Sequence, residues 1–348
     1  MLRLAIVVAV AVATISLVAA GGHQQARAGS EAGAVEAAAD YDLGVVEIPD
    51  AGPRGPIPVR IWGTIAVPQG PGPHPVVLVA HGRHDNGCPG DDFDSTVWPC
   101  FEVEQRNDLG MRHVVEAIAA GGAIALSPDL NGAYTGGWGE PDDRSRWSAI
   151  VDATLAQLEQ EASAGGGRFG IELAGRVDLA DLGVLAHSRS GLNAVLFARR
   201  ETAVDSLFLL APAADNAKLP DLPTAIVLAS CDGDIGGEGR RYLKRARRDR
   251  DRSEPVVLVT LERANHNYFN RTLSDLGTDD SLGTGLAQCR PRHRISAAAQ
   301  RRWLDAASAD FFAAELLGAR PPDWLRRGGK LPDRLYGRSV EIERLRGR

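Results

Sequence analysis

No two cysteines in this chain stand at C-x-x-C spacing, which removes the commonest pattern of a zinc site. Positive charge is not in excess either. Lys and Arg total 39 against 45 Asp and Glu, a formal net charge of −6, whereas a nucleic-acid binder is normally basic overall. No internal repeat occurs, so a solenoid or propeller is excluded. What remains is ordinary globular composition, 348 residues with 44% hydrophobic and 24% charged.

The N-terminus pairs a short positive start, Met1-Leu2-Arg3, with the apolar run "LAIVVAVAVATISLVAA" from Leu4 to Ala20. This pattern predicts a secretory signal peptide, cleaved after Ala20 or Ala28. A retained anchor is the competing reading, because the run is close to the lower length limit for a span. No lipid-attachment cysteine follows the run, which favours cleavage and no stable membrane span afterwards. Export would place Cys88, Cys100, Cys231 and Cys289 in an oxidising compartment, where an even count predicts two disulfides. Three pairings are possible. The expected one joins Cys88 to Cys100 around a short acidic loop, and Cys231 to Cys289.

Along the rest of the chain, Gly29 to residue 40 reads as a flexible lead-in, and "YDLGVVEI" and "PVRIWGTIAVP" as two strands. Short apolar strands then alternate with helices. Within "DDRSRWSAIVDATLAQLEQEA", Trp147, Ile150, Val151, Leu155 and Leu158 recur at helical spacing. Strands apolar on both faces and separated by helices predict an α/β fold with a mostly parallel central sheet and helices on both faces. The expected limits are 1–28 for the signal peptide, 29–40 for the lead-in, 41–318 for the main domain, and 319–348 for an irregular or mobile C-terminal arm.

Ser188 stands where the apolar run "LGVLA" turns into "GLNAVLF". A strand–turn–helix corner with small neighbours is the setting of a nucleophile elbow; a helix N-cap is the alternative reading. "AHSRSG" resembles the G-x-S-x-G elbow of the α/β-hydrolase family, particularly the "GHSRGG" form of secreted bacterial esterases and lipases. Ala186 and Ser190 replace the two glycines, and Ser190 is given only a structural place in the turn. "VAHGRH" resembles the family's oxyanion segment, which implies oxyanion donors at the amides of Arg83 and Arg189.

The family's chain order is Ser, acid, His. His266, after the strand "PVVLVTL", matches the catalytic histidine, and His187 matches a packing residue. His293 has basic neighbours and reads as surface. The acid should follow "TAIVLASC": Asp232 fits G-x-x-D-x-x-[VI]-P best, with Asp234 the runner-up. The resemblance therefore implies an α/β-hydrolase fold and a secreted Ser-His-Asp carboxylic-ester hydrolase without a cofactor. Amide or peptide cleavage and a non-catalytic binding protein are the alternatives. Tyr134 and Trp138, on the long Gly-rich connection after "AIALSP", are candidate substrate-lining residues. Asp91, Asp92 and Asp94 have the spacing of no recognised calcium loop and read as a solvated loop.

Overall fold

The computed structural model describes residues 34–50, 55–91, 94–95, 97–135, 143–279 and 284–347. The signal peptide and its cleavage sites, Trp138 and Asp92 lie outside them, as do the side chains of Asp91 and Asp94. The first half of the chain forms β1 (Val35–Ile48), β2 (Ile57–Pro68), β3 (His74–Ala80), β4 (Gly90–Asp91), β5 (Asp94–Ser95), α1 (Arg112–Ala120), β6 (Ile124–Pro128), α2 (Asn131–Tyr134) and α3 (Asp143–Ala164). The second half forms β7 (Val177–His187), α4 (Arg189–Phe197), β8 (Val204–Leu210), β9 (Thr224–Cys231), α5 (Arg240–Ala246), β10 (Val256–Asn265), α6 (Arg271–Asp275), α7 (Ala297–Leu316), β11 (Arg334–Leu335) and β12 (Arg338–Leu345).

Ten of these strands make one sheet, in the order β1-β2-β6-β3-β7-β8-β9-β10-β12-β11. The α/β class stands and most strand pairings are parallel, but the expected α/β-hydrolase fold is corrected to a mixed sheet that is not distinctive of that fold. Pairing is parallel only from β6 to β10 and antiparallel on both flanks, so the sheet is mixed. On one flank β1 pairs antiparallel with β2, the next strand along the chain. On the other, β12 runs antiparallel along β10, from Val256 opposite Leu345 to Leu261 opposite Val340. The expected irregular arm therefore ends in strand, β11 and β12. In "RSVEIERL", Val340 and Ile342 alternate with Glu341 and Glu343, the period of a half-buried strand. The lead-in is corrected too. β1 begins at Val35, because ladder bonds to β2 order a small-residue stretch that composition alone left loose.

Apolar side chains cover both faces. On one, Trp147 of α3, Val195 of α4 and Tyr242 of α5 pack on the sheet; on the other, Val114 of α1 with Trp303 and Phe311 of α7. The strands between them are buried on both sides, as a parallel core requires. Among the described residues no helix is long and apolar enough to cross a membrane.

Both expected disulfides are present, and no described cysteine is unpaired. Cys88–Cys100 spans 12 residues and Cys231–Cys289 spans 58. Loop-closure entropy assigns them about 3 and about 4 kcal/mol. The double change Cys231→Ser with Cys289→Ser is accordingly expected to cost about 4 kcal/mol in urea unfolding. A loss below about 1 kcal/mol would show that this bridge does little to restrain the unfolded chain.

Candidate active site

β7 ends at His187, α4 begins at Arg189, and Ser188 is the single residue between them. Its backbone has φ 55° and ψ −125°, a region L-residues rarely adopt. Such strain persists only where the surroundings over-determine it. Here they do: the Ser188 amide donates to Leu210 O (2.9 Å), and its carbonyl accepts from the amides of Gly191 (2.9 Å) and Ala213 (3.0 Å). A Cβ on Gly191 would lie 2.5 Å from Pro212, so the turn closes only with glycine there. A helix N-cap serine would accept a bond from the first helical turn; Ser188 makes no such bond. The side chain is 4% exposed and lines a cavity of about 460 Å³ with Arg83, Arg189 and Asp234.

Asp232 follows β9 and His266 follows β10, neighbouring strands of the parallel core. His266 Nδ1 lies 2.8 Å from Asp232 Oδ2, with both side chains buried. Asp232 Oδ1 accepts three amide bonds, from Asp234 (3.0 Å), Ile235 (2.9 Å) and Gly236 (3.1 Å). A carboxylate only accepts, so Nδ1 carries a hydrogen, and in the neutral ring the lone pair is on Nε2. Asp234 takes a different place. It is 60% exposed, and its Oδ2 lies 3.6 Å from His266 Nε2, the opposite ring nitrogen. Asp234 and Ser188 line the same cavity, and Asp234 is also near the Nε2 edge of His266.

The His81–Arg83 segment after β3 closes the other side. A Cβ on Gly82 would sit 2.6 Å from Ser188 Cβ and 2.9 Å from His84 Nε2, so only glycine admits the serine so close. The His81 ring accepts from the Leu130 amide through Nε2 and donates through Nδ1 to Gly82 O, both at 2.8 Å. Burial lowers its pKa to about 4 and keeps it neutral. Burial likewise holds His84 and His187 well below the usual histidine range. The His187 ring packs 4.7 Å from that of His266.

Ser190 is more than a small residue in a turn. Its hydroxyl donates to His81 O and accepts from Trp147 Nε1 (2.9 Å) and the Tyr134 hydroxyl (2.6 Å), all within the core. It ties the elbow to the His81 segment and to α3. The substrate-lining role of Tyr134 is corrected by the same contact. The ring is 3% exposed and holds Ser190, and it belongs to neither cavity wall beside Ser188. Ser190→Ala should strand two buried donors and cost about 1–3 kcal/mol in urea unfolding, with turnover falling as the His81 segment loosens. A cost under about 0.5 kcal/mol would show the hub to be dispensable.

Other contributors carried no motif. Gln300, on the buried face of α7, accepts from Asn265 N (2.9 Å) and donates to Asn265 O (2.6 Å), which fixes the residue before His266. Its only signal is a large polar side chain on a mostly apolar face. The Arg189 side chain pairs with Asp143 at the start of α3.

Behind the His81 segment lies a buried acid pair. Asn131 Nδ2 reaches both Glu104 Oε1 (3.0 Å) and Asp129 Oδ2 (3.1 Å). Burial, then the Glu104 charge, pushes Asp129 well above the carboxylate range, and burial raises Glu104 to about 7. The folded chain thus holds protons that the unfolded chain releases above about pH 4, and this contribution to stability falls as pH rises. Relative to the parent, Asp129→Asn should therefore gain unfolding free energy between pH 5 and pH 7. A pH-independent difference in urea unfolding would contradict the raised acid. No family model matches the chain, and no curated protein matches it.

Proposed function

We propose that the protein is a secreted serine hydrolase that cleaves carboxylic esters through an acyl-enzyme. The reading is carried by one observation. A serine with strained backbone shares a cavity wall with Asp234, whose carboxylate lies 3.6 Å from the Nε2 of a buried histidine, the other ring nitrogen of which is held by a buried carboxylate. Ser188 is the nucleophile, His266 the base, and Asp232 the group that fixes the tautomer and supports the imidazolium. The start of α4 turns backbone N–H groups toward Ser188, and with the Arg83 amide they suit a developing oxyanion. Gly82 supports this role for the Arg83 segment, since it lets that segment lie against the serine.

Two disulfides point to an oxidising compartment, which supports secretion. The test is p-nitrophenyl acetate turnover, followed from the first milliseconds and compared with that of the matching anilide. A burst equal to the enzyme concentration, with the ester far preferred, is the expected result. No ester turnover by folded protein would contradict the proposal.

A further inference from the structure

Two cavities share wall residues at the site. The one of about 460 Å³ has Ser188 in its wall, with Arg189, Ala213 and Ile235. The other, about 510 Å³, is walled by His84, Gln105, Gly233, Asn267 and Leu273. Arg83 and Asp234 belong to both. Each volume is within the range of about 300–1,000 Å³ usual for small-ligand sites.

The chemistry decides which half of an ester enters the larger cavity, given the reading of Ser188 and His266 as nucleophile and base. In acylation, Ser188 Oγ bonds to the carbonyl carbon and its proton passes to His266 Nε2. Collapse of the tetrahedral adduct breaks the ester C–O bond, and that proton goes to the departing alkoxide oxygen. Water then adds to the acyl carbon, giving a proton to Nε2; the acid leaves and Ser188 recovers its hydrogen. The alcohol must therefore depart beside His266. Asn267, the residue after His266, is in the wall of the larger cavity, while Ser188 is in the wall of the smaller.

We infer that the larger cavity holds the alcohol half of the substrate and selects an alcohol bearing several hydroxyls. Seven of its ten described lining residues carry hydrogen-bonding side chains, among them Arg83, His84, Gln105, Asp234 and Asn267. The Gln105 amide is fixed in orientation, its Nε2 donating to Asp85 O (3.1 Å) and Asn107 Oδ1 (3.0 Å). His84 is 9% exposed, and its Nε2 has no hydrogen-bond partner at the seam beside Gly82. Kept neutral by burial, the ring has one unmet hydrogen-bonding position, at Nε2. Apolar lining among the described residues is Leu273 and Leu276, and Leu276 is 60% exposed. An alkyl chain there would cover polar groups without pairing them, which is unfavourable.

The experiment keeps the acyl group constant. The intact protein is given glyceryl monoacetate, a methyl xyloside monoacetate and octyl acetate, with fluorophosphonate labelling of Ser188 measured in parallel. At least one hydroxylated acetate should exceed octyl acetate in kcat/KM by about tenfold or more, mainly through KM, since a site built to bond hydroxyls rejects an analogue lacking them. The glycerol and sugar arms distinguish the source of the hydroxyls. Gln105→Leu and Asn267→Leu should raise KM for the preferred hydroxylated ester several-fold more than for octyl acetate. Labelled protein that turns over octyl acetate as well or better overturns the cavity's role and leaves the nucleophile in place. Folded protein with neither label nor turnover overturns both.

Discussion

Ser188→Ala is expected to lower ester turnover by about 10⁶-fold, the scale seen when a hydrolase loses its nucleophile, with the melting temperature nearly unchanged. The two halves of this expectation have separate causes. Alanine keeps the Cβ that packs against Gly82 and occupies the same backbone conformation, and the bonds to Leu210, Gly191 and Ala213 are all main-chain. The fold therefore loses little, within about 0.5 kcal/mol. Turnover loses the atom that becomes acylated, and only binding and the oxyanion donors are left to assist water. Melting would be followed by circular dichroism, and turnover with p-nitrophenyl acetate. Activity near that of the parent would remove Ser188 from the chemistry.

Asp232→Asn should reduce turnover about 10⁴-fold, again in a folded protein. Asparagine can keep its oxygen where three amides donate, on the Oδ1 side. Its NH₂ then replaces the Oδ2 that lies 2.8 Å from His266 Nδ1, and an NH₂ cannot accept from that ring nitrogen. The imidazole turns to the other tautomer, its hydrogen on Nε2, where no lone pair remains for the serine proton. Asp234→Asn is the comparison. Asp234 is exposed and near Nε2, so it neither sets the tautomer nor satisfies the buried amides, and its loss should cost far less. If Asp234→Asn proved the crippled variant and Asp232→Asn stayed active, the two aspartates would exchange roles.

Much of the parallel core was legible because it follows from burial. Strands apolar on both faces, such as "TAIVLASC" and "PVVLVTL", need helices over both sides, and the chain supplies them in alternation. On the flanks, β2 and the second half of β1 could be read, but the start of β1 and β12 could not. β1 and β12 are half-exposed, with residues such as Glu36 and Glu341 between apolar ones, and what orders them is ladder pairing with a distant strand. The corner at Ser188 could be read because a strand running directly into a helix permits few residue types. The aspartate could be ranked because Cys231, Asp232 and Ile235 follow a strand closely. Ser190, Gln300 and Tyr134 act by contacts across 35 to 109 positions of sequence, and nothing local announces them. Tyr134 was misplaced for that reason: an aromatic on a Gly-rich connection looks like a pocket wall until its hydroxyl is found buried on Ser190.

The central claim is that Ser188 is a nucleophile activated by its surroundings, and covalent labelling tests it most directly. The native protein would be treated with a fluorophosphonate probe, digested, and analysed by mass spectrometry, beside Ser188→Ala and a heat-denatured sample. One probe per chain is expected, on the peptide containing Ser188, with none on the variant or the denatured protein. Absence of label on the native chain, or label on another residue that persists in Ser188→Ala, would contradict the claim.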